Sequence, residues 1–513
     1  MANACTPSTF SSLSLPGAAI HSITAVPVHN YTASSPLFLN PNHGDISPVH
    51  LDFCNVTIAH AHTGHNESIL TQIWLPASTW NGRLQAVGGG GFIAGLFSYM
   101  FIAMSGAIAE GYAAASTNAG IYATGINGED AADWFLRDPA SPNVHALEDF
   151  AFRALGDLGV LAKETVRFFY GVPPAYAYFS GCSNGGRQGY VLAQRYPDAF
   201  DGIAACAPGI YWDRGPEMYW AWQMMADEGR YPRGCELEAL RAAAMEACDA
   251  LDGVRDGIMQ DPGACTFDPW SMLGRSVDCS DSGSGGGGNV TAKVSEIAIK
   301  VAEGEWIDKR PGGDIHRLQR AGYDVDLRSF ATTACGNGTC VAAPHPLASS
   351  WLRVFVKKDP SWDMLSMTRA EYEDLKQQSV REYEAVIGVE SYDFRAFERA
   401  GGKMITYQGM SDPAVPYKNT LHFYTTALSL SPSLRSSFRL FLAPGLGHGV
   451  GGKGAYPYTT FHALVDWVER GVVPERLEAV GQVDGVGEGI RRVLCAWPGR
   501  SVWDGSGEGW VCV

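Results

Sequence analysis

Basic residues are in short supply: 38 Lys and Arg stand against 54 Asp and Glu, a formal net charge of −16. Binding a phosphate backbone takes clustered Lys and Arg. No basic cluster stands out, so no nucleic-acid partner is expected. Long apolar runs are missing as well. No stretch reaches the roughly 18 consecutive apolar residues of a membrane-spanning helix, so no membrane partner is expected. Met1 to Leu15 lack the charged and apolar regions of a secretory signal, which implies a signal already removed or none made. Charge of either sign is sparse, at 18% of residues against 46% apolar. That balance excludes a disordered chain and leaves enough apolar side chain for a large core.

Cysteine, by contrast, is plentiful. Twelve Cys, an even number, fit a disulfide framework better than a cytosolic enzyme. Five N-x-Ser/Thr sequons begin at Asn30, Asn55, Asn66, Asn289 and Asn337. The expectation from both is a secreted glycoprotein.

The 513 residues would allow two to four domains. Residues 1–80 mix short apolar alternations with polar turns. Strands are expected at Thr71–Pro76, at Leu84–Val87 leading into the glycine loop Gly88–Gly91, at Tyr112–Thr117, at Ala175–Ser180 and at Phe200–Ala207. Apolar residues at helical spacing (Phe150, Leu155, Leu158, Leu161, Val166) predict one long helix over His145–Tyr170. A second helix is expected at Gln188–Arg195. Strands alternating with helices imply an α/β fold with a mostly parallel sheet. After Pro208 the character changes. Residues 210–400 have many Trp, Met and charged residues, few strand signals and the flexible tract that starts at Ser280. The α/β pattern returns at Gly402–Tyr407 and Phe438–Leu442, and a helix follows at Thr459–Arg470. The chain is therefore read as a core in two parts, 1–209 and 401–513, separated by a largely helical lid, 210–400.

Gly181-Cys182-Ser183-Asn184-Gly185 matches G-x-S-x-G between an expected strand and an expected helix, the context that a nucleophile elbow requires. A nucleophilic Ser needs a base, and the base needs an orienting carboxylate. In this architecture the chain order is Ser, Asp or Glu, His. Asp412 and His448 follow in that order, each on a loop just past an expected strand, where such folds collect their active sites. Two backbone donors should hold the oxyanion: the N–H of Asn184, and one from the Gly88–Gly91 loop, taken here as Gly90. The same loop carries a weak dinucleotide fingerprint, but the acidic residue that should follow a second strand is not evident.

With these residues in view, Phe179-Ser-Gly-Cys-Ser-Asn-Gly-Gly-Arg-Gln-Gly-Tyr190 and Tyr196-Pro-Asp-Ala-Phe-Asp-Gly-Ile203 resemble the tannase and feruloyl esterase family. So do Gly409-Met-Ser-Asp412-Pro413, Pro444-Gly-Leu-Gly-His448 and Lys357-Lys-Asp-Pro360. The resemblance implies an α/β-hydrolase fold with a large inserted lid and Ser183, Asp412 and His448 as the triad. It also implies hydrolysis of an ester of a hydroxycinnamic or gallic-type acid through an acyl-enzyme. Trp212, Trp220 and Trp222 are candidates to clasp the aromatic acyl group. Homodimerisation is an expectation from the resemblance alone.

The lid segment Cys248–Cys265 offers Asp249, Asp252 and Asp256 with the carbonyls of Val254 and Ile258. This oxygen set suits a hard cation, at a spacing that is not that of an EF-hand. By resemblance it is a structural Ca2+ site, stapled by Cys248–Cys265. Cys5–Cys54, Cys495–Cys512 and Cys335–Cys340 are further expected pairs. One departure stands out. Typical members join the Cys before the nucleophile to a Cys directly after the catalytic His, but here Gly449 follows His448. Cys182 is then free or paired elsewhere, with Cys206 a candidate. Cys235 and Cys279 have no evident partner. Gly449 leaves open an enzyme that acts on a pathway-specific ester or lactone or by a non-hydrolytic reaction, and a separate alternative is a binding protein that keeps the fold without the chemistry.

Overall fold

The computed structural model describes residues 4–122, 128–138, 141–279, 291–307, 321–336, 339–389, 391–482, 488–505 and 509–513. The glycine-rich tract after Ser280 and the sequons at Asn289 and Asn337 fall outside them.

Nine strands form the central sheet: β1 (Ala18–Ser35), β2 (Ile46–His62), β3 (Ile69–Pro76), β4 (Arg83–Val87), β5 (Ala113–Thr117), β6 (Tyr176–Cys182), β7 (Gly202–Cys206), β8 (Lys403–Gly409) and β9 (Phe438–Ala443). Their order is β1-β2-β3-β5-β4-β6-β7-β8-β9. The first three run antiparallel, β3 pairs antiparallel with β5, and from β5 onward every pairing is parallel. Parallel neighbours need crossover segments. Five helices flank the sheet: α1 (Ser98–Ala109), α2 (Ala154–Tyr170), α3 (Asn184–Arg195), α4 (Tyr417–Leu430) and α5 (Thr460–Arg470).

Side-chain alternation along each strand divides the core into two layers. Leu84, Ala86, Ala177, Phe179, Ile203 and Ala205 pack with α2, α3 and α4. Val87, Tyr178, Ala204, Ile405 and Tyr407 face the other way, onto α1 and α5. Such strands, covered on both faces, read as continuous apolar runs, which is why β4 to β9 were visible in the sequence. The long β1 was not, because most of its side chains are exposed or half-exposed and its apolar signal is weak.

The expected helix at 145–170 is one continuous rod, Val144–Tyr170, with a single π-helical turn at Asp149–Arg153. The expected helix at 188–195 starts earlier, at Asn184, directly after Ser183.

The insert between β7 and β8 is mostly short helices, with two small hairpins. Its apolar cluster (Trp222, Leu240, Ile299, Phe355 and others) does not keep to residues 210–400. It recruits Phe92, Ile121, Trp134, Phe135 and Phe150 from the first part of the chain. Conversely, Val389, Phe394 and Phe397 pack into the sheet layer.

All twelve cysteines are paired. Cys5–Cys54, Cys248–Cys265, Cys335–Cys340 and Cys495–Cys512 form as expected. Cys182 bridges Cys206, its register partner on the neighbouring parallel strand. Cys235 and Cys279, unassigned from sequence, bridge each other over 44 residues. No helix among the described residues is long and apolar enough to cross a membrane.

Candidate active site

Ser183 stands at the junction of β6 and α3 with φ 61° and ψ −120°. A non-glycine residue held there is strained, and such strain persists only where the surroundings over-determine it. Here the Ser183 N–H donates to the Cys206 carbonyl at 3.0 Å, and its own carbonyl accepts from Arg187 and Gly209 N–H at 3.0 and 3.1 Å. Gly185 must be glycine, since a Cβ there would lie 2.8 Å from the Gly89 carbonyl oxygen. The same close approach lets the Gly185 N–H donate to Gly89 at 2.9 Å and holds the glycine loop against the elbow.

Asp412 is fully buried in the turn after β8. Its Oδ1 accepts from the Ala414 and Val415 N–H groups at 2.8 and 2.9 Å. Its Oδ2 accepts from His448 Nδ1 at 2.8 Å and from Gln408 Nε2 at 3.0 Å. With four donors around it, the carboxylate has one orientation. Gln408, on β8, is the member that sequence reading missed. It is buried, and its Oε1 is held by Thr420 Oγ1 at 2.9 Å. The one available signal was its place four residues before Asp412, on the strand that leads into that turn.

His448 follows β9 and is one-third exposed toward the cavity. Burial would lower its pKa, but the charge and hydrogen bond of Asp412 outweigh that and hold it above the ordinary histidine value.

Ser183 and His448 line one cavity of about 600 Å3 between sheet and insert. Its walls are apolar and aromatic: Phe92, Phe97, Tyr211, Trp212, Met218 and Trp351. Of the three expected tryptophans, only Trp212 is in the wall. Trp222 is buried inside the insert, its Nε1 donating to the Thr332 carbonyl at 3.0 Å, and Trp220 packs on Gly304. Helical spacing alone cannot say which face of a short helix meets a cavity and which a core. Phe92 and Trp351 take their place, stacked 6.4 Å apart.

The glycine loop also differs from expectation. The Gly90 N–H donates to the Ile93 carbonyl at 3.1 Å and the Gly88 N–H to that of Ser180 at 3.0 Å. Gly89 N–H donates to Gln188 Oε1 at 2.8 Å. Among the described residues the Gly91 N–H has no acceptor, and Gly91 lines the cavity. Asn184 is placed by Arg187, a buried guanidinium that donates to Asn184 Oδ1 at 2.9 Å and to the carbonyls of Ala151 and Phe150 at 2.9 and 3.2 Å.

The acidic loop of the insert lies outside the cavity. Asp249 Oδ1 accepts from Gly257 and Ile258 N–H at 3.0 and 3.2 Å, and Asp252 Oδ1 from Val254 N–H at 3.0 Å. Asp256 pairs with Arg492, which is stacked 3.8 Å from the Trp510 ring. Asp252 Oδ2 is buried and without a hydrogen-bond partner. The oxygens of the three aspartates do not all converge within 4.8 Å of one another, and the orphaned Asp252 oxygen is the observation here that suits a hard cation.

Residues 54–511 match the family model described as tannase and feruloyl esterase. The chain is 35% identical over 461 residues to a probable feruloyl esterase of Arthroderma benhamiae, covering 87% of this chain and 82% of that one. Among solved structures it superposes on the tannin acyl hydrolase of Aspergillus niger with a TM-score of 0.87 at 27% identity, covering 100% of this chain and 95% of that one. It superposes on feruloyl esterase B of Aspergillus oryzae with a TM-score of 0.77 at 25% identity, covering 100% and 99%. A buried Asp–His pair beside a strained elbow serine, set in an α/β-hydrolase sheet, is thus joined to likeness along nearly the whole chain: this protein belongs to the tannase and feruloyl esterase family and is a carboxylic ester hydrolase.

Proposed function

We propose that the chain is a secreted serine esterase that hydrolyses esters of hydroxycinnamic or gallic-type acids through an acyl-enzyme. The observation that carries the reading is the shared cavity: Ser183 and the Asp412-bound His448 open into a space walled by Phe92, Trp212 and Trp351. An aromatic acyl ring matches such walls in shape and polarity.

In the first step Ser183 Oγ attacks the ester carbonyl while His448 Nε2 takes its proton. The tetrahedral oxyanion lies between the N–H groups of Asn184 and Gly91. Collapse breaks the ester C–O bond, and His448 returns the proton to the departing alcohol. Water then repeats the sequence on the acyl-enzyme, with His448 again as base, and releases the acid and Ser183. Asp412 keeps the proton on Nδ1, so that Nε2 is the basic nitrogen, and stabilises the imidazolium. Among the described residues Ser183 Oγ forms no hydrogen bond, and catalytic bonds of this kind often close only in the Michaelis complex. The insert acts as the lid that shapes the acyl pocket.

Asp249, Asp252 and Asp256, with the Val254 and Ile258 carbonyls, would hold a calcium ion. Bound there, the ion supplies positive charge that braces the loop and has no part in acyl transfer. Six disulfides support secretion, and Asn30 and Asn66 are exposed sequons open to glycosylation. The alternative of a pathway-specific ester or lactone rests on Gly449, for which the Cys182–Cys206 bridge gives a steric reason.

The test is intact-mass analysis after a fluorophosphonate probe, wild type against Ser183→Ala, followed by initial rates on methyl ferulate and methyl gallate. Labelling that depends on Ser183, with turnover of either ester, supports the reading. Labelling without turnover moves the substrate elsewhere, and no labelling leaves a binding protein.

A further inference from the structure

Far along the sequence from Ser183, the turn between β2 and β3 meets the π-helical turn that precedes α2. His62 ends β2, Glu67 lies in the turn, and Asp149 opens the π-helical segment. Among the described residues these three form the one group of three or more His, Cys, Asp or Glu side chains whose ligand atoms all lie within 4.8 Å of one another.

His62 Nδ1 is 3.0 Å from Glu67 Oε1 and 3.2 Å from Asp149 Oδ1. A ring nitrogen carries at most one proton, and here it points to Glu67, whose Oε1 also accepts the His62 backbone N–H at 2.8 Å. Asp149 is left with that ion pair alone. It is fully buried, and neither of its oxygens has a well-aligned hydrogen-bond donor. A carboxylate taken out of water without donors is costly. The opposite nitrogen of the same ring, Nε2, is held by Asp157 Oδ2 at 2.9 Å. A carboxylate fixing the far nitrogen of an imidazole is the usual outer support of a metal-bound histidine. His65 Nδ1 is also buried without a hydrogen-bond partner, 3.9 Å from Glu67 Oε2. At the rim Glu148 is neutralised by Arg153 at 2.7 Å, and His60 leans on Asp157 at 3.3 Å.

We propose that His62 Nδ1, Glu67 and the buried Asp149 form a binding site for a first-row divalent transition metal of the zinc type, distinct from the oxygen-only loop at 249–258. One imidazole nitrogen with two carboxylates is a donor set for zinc or its neighbours rather than for calcium. On binding, the metal displaces the Nδ1 proton to solvent, the Nε2 proton stays on the ring and is donated to Asp157, and the dication meets the charge of the buried Asp149. His65 Nδ1 or a water completes the shell. The site clamps the β2–β3 turn to the rod Val144–Tyr170. That rod's Phe150 and Ala151 carbonyls hold Arg187, and Arg187 holds Asn184 beside the nucleophile. The clamp is structural and does not touch the reacting atoms.

The test uses the full chain, freed of metal by a chelator and then titrated with ZnCl2 and, separately, CoCl2. Cobalt reports its own ligands, because a low-coordinate site with histidine nitrogen gives visible absorption that an oxygen-only calcium loop does not. The expected results are one equivalent of zinc bound, a visible cobalt band, and a melting temperature raised by about 3 °C at saturating zinc. Glu67→Gln and Asp149→Asn should each lose the band and the thermal shift. Glu67 lies in a turn near the surface, so its variant should fold even if the Asp149 variant does not. Absence of both band and shift in the wild type, or their persistence in Glu67→Gln, would overturn the site. Neither readout depends on esterase activity.

Discussion

Gly449, directly after His448, stands where a side chain would strike the Cys182 sulfur: an ideal Cβ there lies 2.4 Å from Cys182 Sγ and 3.1 Å from Cys206 Sγ. Its φ of +73° is itself the glycine conformation. The bridge between nucleophile strand and histidine loop that typical relatives are expected to have is replaced by one between β6 and β7. The histidine loop is instead held from beneath, where Tyr407 Oη donates to the Gly449 carbonyl at 2.9 Å.

Gly449→Ala should therefore be costly although it adds one methyl group. Left-handed backbone alone costs about 1–2 kcal/mol for a residue with a Cβ, and the contact with Cys182 adds to it. Thermal melts should show the loss. A melting temperature within error of wild type would mean that the loop relaxes away from the bridge freely.

The Asp412–His448 pair sets the pH dependence. The base must be neutral to accept a proton, and Asp412 holds His448 above its ordinary value. The acid limb of kcat/KM should therefore fall at a pH above 6.5, the ordinary histidine value. Asp412→Asn should lower kcat by about ten-thousand-fold through the wrong tautomer. A rate profile flat from pH 5 to 8 is the result that would remove His448 from the role of base.

The aromatic wall separates two kinds of tryptophan. Trp212→Ala should raise KM for methyl ferulate about tenfold, the worth of one aromatic contact, with a smaller effect on a short aliphatic ester. Trp222→Phe, which loses the bond to Thr332, should lower the melting temperature and leave KM unchanged. Steady-state rates and melts on both variants check the distinction.

Asp324 couples the insert to the catalytic loop, since Ser411, next to Asp412, donates to its carboxylate. Burial pushes its pKa up to about 6, against the opposing pull of Ser411, Arg241 and Lys418. The sign follows from linkage. The unfolded chain ionises near 3.8 and the folded one near 6, so this contribution is complete below 3.8 and is lost as pH rises through about 6. The melting temperature of Asp324→Asn relative to wild type should therefore rise between pH 4 and pH 7. A difference independent of pH would show that Asp324 does not titrate in this range.

Calcium added to chelator-treated protein should raise the melting temperature, and Asp252→Asn, which alters the orphaned oxygen, should weaken that response. Reaction of Ser183 with a fluorophosphonate should be unaffected, because the loop at 249–258 lies outside the cavity. Equal calcium response in both proteins would remove Asp252 from the ion's shell.

The sequence determined the sheet from β4 to β9, the elbow, and the order Ser183, Asp412, His448, because each is local. Strands buried on both faces are apolar runs, and a tight strand–helix turn demands glycines at fixed offsets from its serine. It also contained four of the six disulfides as expected pairs, those that close short loops or tie down the termini. What it did not determine depends on contacts distant in sequence. Cys235 and Cys279 are paired only by the fold of the insert. That the N–H groups of Gly88, Gly89 and Gly90 are taken depends on acceptors at Ser180, Gln188 and Ile93. Which tryptophan faces the cavity was settled by what lies behind each helix. The cluster of His62, Glu67 and Asp149 joins segments more than eighty residues apart, and only tertiary packing buries Asp149 against the His62 ring. Periodicity and turn chemistry are written into neighbouring residues, whereas burial and the pairing of polar groups are properties of the packed whole.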